Sequence, residues 1–97
     1  MPSYRAVLAV GRLAPGTDPA TVLPAAVAAA RAVVEVEAWD VGVVRGEARA
    51  TVRYVADDDD LALGVARRVR AHVAPLADVV SLDVSRRYGP RWYGVRG

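Results

Sequence analysis

The stretch VVEVEAWDVGVVRGEARATVRYVA, residues 33–56, decides how the rest of the chain must be read. In its first half Val34, Val36 and Ala38 fall on one face, while Glu35, Glu37 and Trp39 fall on the other. In its second half Ala48, Ala50, Val52 and Tyr54 oppose Glu47, Arg49, Thr51 and Arg53. A period of two with β-branched residues is the signature of half-buried strands. Arg45–Gly46 between them fits the two-residue turn of a hairpin. A strict two-residue turn would place Tyr54 opposite Glu37, an inward residue against an outward one. Because a slip of one residue turns every side chain to the other face, a bulge near Gly42 or a longer turn is expected.

Working outward, SYRAVLAVG (residues 3–11) alternates Tyr4, Ala6, Leu8 and Val10 against Arg5, Val7 and Ala9, and reads as another strand. Asp18–Pro19 opens a helix: the carboxylate accepts orphan amide bonds and proline is preorganised for the first helical position. That helix runs through residues 20–32 and buries Val22, Leu23, Ala26, Val27 and Ala30. Pro24 removes an amide there, so a short opening turn followed by a kink or restart is expected. Downstream, DDDDLALGVARRVRAHVAPLAD (residues 57–78) is a second helix with acids at its positive end and arginines toward its negative end. Val65, Val69 and Val73 make its apolar stripe, and Pro75 stops it. DVVSLDVSRR (residues 78–87) closes the pattern as a strand, with Val80, Leu82 and Val84 inward.

The element order is therefore β-α-β-β-α-β. Two right-handed β-α-β units interleave into one sheet with both helices on the same face. In order and spacing the chain resembles the ferredoxin-like (split β-α-β) superfamily over residues 3–88. The resemblance implies an α+β two-layer sandwich, a four-stranded antiparallel sheet with two helices on one face. Residues 1–88 form the domain. Residues 89–97 form a basic and aromatic C-terminal extension, packed on the domain or at a dimer interface.

Composition narrows the function. Ninety-seven residues suit one domain, and 54% hydrophobic content excludes disorder. Much of that content is alanine and valine, with no phenylalanine or isoleucine, so the core is thin. All thirteen basic residues are arginine; lysine, asparagine and glutamine are absent, the mark of a high-GC bacterial genome. An arginine-only surface is thus explained by codon usage before phosphate binding is invoked. No cysteine leaves neither disulfides nor a thiolate metal site. The stretch MPSYRAVLAVGR lacks the pattern of a secretory signal, and no segment is apolar enough to span a membrane. A cytoplasmic protein is the expectation.

Charge is uneven. Residues 1–84 hold nine arginines and eleven acids, a balance of −2, and residues 85–97 hold four arginines and no acid, a balance of +4. In SRRYGPRWYGVRG, Arg86, Arg87 and Arg91 could neutralise phosphates while Tyr88, Trp92 and Tyr93 stack on bases. The same aromatics could instead cover the open sheet face, which would otherwise leave Val7 and Trp39 in water beside Arg49 and Arg53.

Other chemistry finds little support. His72 is a lone histidine at the margin of an apolar stripe. Asp57–Asp60 are explained as helix-capping residues. Glu35 and Glu37 can pair with Arg49 or Arg53 across the hairpin. RNA-recognition modules share this topology but stack bases on aromatics of the first and third strands, which hold none here on the open face. Acylphosphatases share it too, and use an asparagine that this chain lacks. No catalytic residue, metal or cofactor is assigned. The first reading is an interaction or assembly module that self-associates as a homodimer, its working surface the open sheet face with Val7, Trp39, Arg49 and Arg53 at the interface, together with the C-terminal segment. The second is a nucleic-acid or ribosome-associated protein using the C-terminal arginines, and the third is a small-molecule-binding or enzymatic ferredoxin-like dimer.

Overall fold

The structure is a computed structural model and describes residues 1–96. Strand β1 (Ser3–Leu13) leads through a single 3-10 turn (Pro19–Thr21) into helix α1 (Val22–Arg31). Strands β2 (Val36–Val44) and β3 (Glu47–Val55) follow as a hairpin. Helix α2 (Asp59–Val73) returns the chain to β4 (Ala77–Tyr88), and β5 (Arg91–Val95) completes the sheet. The strand order is β2-β3-β1-β4-β5 and every neighbouring pair is antiparallel. This is the ferredoxin-like arrangement with one strand added.

That added strand corrects the four-stranded expectation. Gly89, at φ 57, precedes Pro90, whose ring fixes φ negative. A positive φ followed by a negative one is what a type II′ hairpin turn requires. The chain therefore folds back at Gly89–Pro90, and Arg91–Val95 pair with Tyr88–Val84. The expected extension, residues 89–97, is thus mostly sheet, with Gly97 outside the described residues.

The helix starts follow from side-chain chemistry. The Asp18 carboxylate accepts from the Ala20 amide at 2.9 Å and caps the 3-10 turn; α1 then restarts at Val22. Pro24 consequently lies in the first turn of α1, where amides have no helical partner to lose. The Asp58 carboxylate caps α2 by accepting from the Leu61 amide at 2.8 Å. Arg68 of α2 donates from Nε to the Ala29 carbonyl at 2.9 Å, satisfying one of the free carbonyls at the end of α1.

Between helices and sheet lies the core, whose largest fully buried side chains are Tyr4, Tyr54, Leu8, Val52, Val69 and Val73. Each such side chain contributes roughly 1.5–3 kcal/mol by leaving water. The rings of Tyr4 and Tyr54 stack with centroids 6.2 Å apart. The Tyr54 hydroxyl donates to the Ala62 carbonyl at 2.7 Å, so its burial leaves no orphan. Burial also raises the Tyr54 pKa.

The hairpin does need a bulge, but not near Gly42. Arg45 and Gly46 both have positive φ (54 and 78) and form a strict two-residue turn, setting Val44 opposite Glu47. Pairing continues to Ala38 opposite Arg53, and the extra residue is Glu37, because Val36 then meets Tyr54. Glu37 is held at the bulge by polar partners. It accepts from Ser3 Oγ at 2.7 Å and from Arg53 Nε at 3.2 Å. The consequence is a correction for Trp39. It lies opposite Val52 and so on the helix side of the sheet, rather than on the open face expected from uninterrupted alternation.

Candidate functional site

The open face, the side of the sheet away from the helices, is mixed in charge. The strand registers place Arg5, Arg49, Arg53 and Arg87 there, with Glu37, Asp40, Glu47 and Asp83. Several are already engaged: Arg53 with Glu37 at 3.2 Å, Arg49 with Glu47 at 3.7 Å, and Arg5 Nε with Ser85 Oγ at 3.2 Å. Val7 lies among them, half-buried. One end of the face is covered by Trp92, whose ring has the guanidinium of Arg5 at 4.6 Å and that of Arg53 at 5.5 Å. This indole is already stacked on cations of its own chain.

The six residues singled out near the C-terminus do not share one surface. Alternation along β4 and β5 sends Arg87 and Trp92 to the open face, and Arg86, Tyr88, Arg91 and Tyr93 to the helix side. Arg86 is bound into the fold. Its Nη1 lies 3.2 Å from Asp59 Oδ1, at the start of α2, and 3.3 Å from the Tyr4 hydroxyl, which itself donates to Asp59 at 2.7 Å. These contacts join β1, α2 and β4 at one point. The hydrogen bond from Tyr4, then that from Arg86, lowers the Asp59 pKa. Burial, reinforced by the Asp59 carboxylate, raises the Tyr4 pKa to about 12. The Arg86 guanidinium also lies 4.8 Å from the Tyr88 ring centroid, and Tyr88 meets Tyr93 edge to face at 5.5 Å. Arg87 donates from Nε to the Gly89 carbonyl at 2.8 Å, within its own hairpin. Arg91 is exposed.

The most uncovered apolar surface is elsewhere, on the edge strand β2. Trp39, Val41 and Val43 alternate along its helix-side face and are 49%, 56% and 71% exposed. Helix α1 covers them only in part. A groove of about 610 Å³ opens between the sheet and the start of α1, lined by Val10, Leu13, Val22, Leu23, Val41 and Ala50. A second hollow of about 500 Å³ lies between Trp39 and the flank of α1, where the Arg31 guanidinium sits 5.0 Å from the indole centroid. Val41 and Val43 were legible only as the approach to a turn. Their alternation with Asp40, Gly42 and Val44 was the available signal that the strand continued to Arg45.

Among the described residues no group of three or more histidine, cysteine or carboxylate side chains is gathered as metal ligands. His72 is exposed on α2, its Nδ1 donating to the Arg68 carbonyl at 2.9 Å. No helix among these residues is long and apolar enough to cross a membrane.

No family model matches the sequence, and no curated protein matches it. Among solved structures the chain is similar to a protein provisionally assigned as a chlorite dismutase, with a TM-score of 0.52 and 18% identity. The match covers 89% of this chain and 44% of that one, so this chain spans less than half the length of its structural neighbour. At that identity the likeness is one of fold, and it supports the ferredoxin-like architecture over most of the chain.

Proposed function

We propose that this chain is an interaction and assembly module that works as a homodimer. The observation that supports this reading is the row of exposed apolar side chains on the edge strand β2, beside an apolar groove that the monomer leaves open. An edge strand presents unpaired amides and carbonyls, and a long apolar edge is a template for a second strand. The thin alanine and valine core gives a further reason, since burial against a second copy adds stability by mass action. The test is sedimentation equilibrium across micromolar concentrations. A species of twice the monomer mass is expected; a strict monomer at the highest concentration removes the reading.

A second reading, nucleic-acid binding, rests on one observation: Arg87, Arg91, Tyr88 and Tyr93 are all exposed around the β4–β5 hairpin. It requires affinity for single-stranded oligonucleotides that falls steeply with salt and is lost in an Arg87→Ser, Arg91→Ser variant. Arg86 and Trp92, held by their own chain, do not take part in it.

A further inference from the structure

We infer that two copies join through β2, antiparallel, in the register centred on Val41. This rests on the self-association proposed above and names its surface and geometry. The charges along β2 choose the direction. Its leading end carries Glu35 and Glu37, and its trailing end runs into the Arg45 turn. A parallel copy would set acids beside acids and arginine beside arginine. An antiparallel copy turns the acidic end of each β2 toward the partner's Arg45 turn at both ends of the joint.

The side chains choose the register. Opposite residues in a two-fold antiparallel pair must share a face, so one residue of β2 lies opposite itself. Centring on Asp40 opposes two carboxylates, which is destabilising. Centring on Gly42 sets Trp39 against the partner's Arg45 and Asp40 against the partner's Val44. Centring on Val41 gives apolar against apolar throughout the helix side: Val41 meets the partner's Val41, and Trp39 meets the partner's Val43. On the open side Asp40 then lies opposite the partner's Gly42, where no side chain competes for space.

The groove gives the same answer. Val43 pairs with Ala48 of β3, and Ala48, Ala50 and Val41 form the sheet wall of the 610 Å³ groove. The partner's Trp39, opposite Val43, therefore stands at the mouth of that groove and brings a large aromatic surface to it. Each copy covers the other's opening. The joined edges make one continuous sheet of ten strands, twice the five of each copy.

The absence of native cysteine makes this directly testable by cross-linking. Facing residues of an antiparallel pair have Cα atoms about 4.5–5.5 Å apart, within the roughly 4.4–6.8 Å a disulfide spans. A Val41→Cys chain is expected to oxidise rapidly to a covalent dimer under native conditions, and only slowly when unfolded. Val43→Cys should not, because four residues of offset hold the two thiols about 13 Å apart. Val7→Cys, on the open face, reports on face-to-face stacking instead. Equal cross-linking at Val43 and Val41, or preferential cross-linking at Val7, overturns the edge register. In either case a wild-type dimer seen by sedimentation leaves the self-association reading standing. A monomeric wild type together with an inert Val41→Cys overturns both.

Discussion

Along the outer edge of β4, from Ala77 to Asp83, the strand offers Asp78, Asp83 and an extra residue at Val80 that breaks its pairing rhythm; β5 then covers the rest from Val84 onward. Along the outer edge of β2 there is one acid between Ala38 and Val44, and the remaining side chains are apolar or glycine. Charge, irregularity and a short covering strand are the usual means by which a sheet avoids unwanted pairing. The β4 edge uses all three, whereas β2 between Ala38 and Val44 has only Asp40, its bulge lying before this stretch at Glu37. The edges also differ in how they are held. β4 is fastened to α2 through Arg86 and Asp59, whereas the side-chain link from β2 to α1 is the stacking of Arg31 on Trp39. An edge left both apolar and lightly tethered is suited to receiving another strand.

The largest effect should come from putting a charge at the centre of the bare edge. Val41→Arg is expected to weaken self-association by about two orders of magnitude or more, the scale of burying an unpaired charge. Val80→Arg, at the defended edge, should leave the sedimentation mass unchanged. Equal effects at the two positions would erase the distinction between the edges. Next, Tyr4→Phe should lower unfolding stability by about 0.5–1.5 kcal/mol in urea titrations, because it removes a partly buried hydrogen bond from a buried ring to the Asp59 carboxylate. Arg31→Ala, which loosens only the β2 side, should cost about 0.5–1 kcal/mol. The reverse ranking would place the firmer tether at β2.

Acid provides a gentler probe of the same fastening. The Asp59 pKa is lowered in the folded chain, so the stability it contributes is present above the unfolded carboxylate pKa of about 3.9. That stability is lost as pH falls through the folded value. Melting temperature should drop on going from neutral to strongly acidic solution, and Asp59→Asn should flatten the drop. An unchanged slope would show that the contact does not hold β4 in place. The smallest effect concerns the β2–β3 turn. Arg45 has φ 54, a left-handed conformation that asparagine tolerates better than arginine. Arg45→Asn should raise monomer stability by up to about 1 kcal/mol while slightly weakening the dimer, because it removes the cation that faces the partner's acidic end. Improvement in both would discard that end-to-end charge pairing.

Much of this architecture was readable from residue order. Alternation located β1, β3 and β4, although in β4 the bulge makes Val79 the partner of Val10 and leaves Val80, expected inward, exposed; Asp18 and the Asp57–Asp60 run announced the helix starts, and Arg45–Gly46 announced the turn. What could not be read depended on residues distant in sequence. The bulge settles at Glu37 because Ser3 and Arg53 are there to bind it, and that choice turned Trp39 to the other side of the sheet. Arg86 reads as a free cation until folding brings Asp59 and Tyr4 beside it. The RWYGV segment has strand-forming residues, but only the Gly89–Pro90 reversal and a vacant length of β4 edge make it a strand. Val41 and Val43 look like connection residues until their exposure beside the groove is seen.

The placement of β1 has a consequence for how the molecule is made. Of the five strands, the earliest in the sequence is the middle of the finished sheet, and its neighbour β4 emerges well after it, as the 82-residue separation of Tyr4 and Arg86 records. The β2–β3 hairpin can form early from local contacts, but the strand it must dock against stays half-paired until β4 arrives. Closing so long a loop is slow, and strands left unpaired meanwhile are open to the wrong neighbour. A growing chain of this design therefore keeps its central strand waiting until β4 has been made, and the order of manufacture, rather than the final stability, sets when this sheet becomes safe from misassembly.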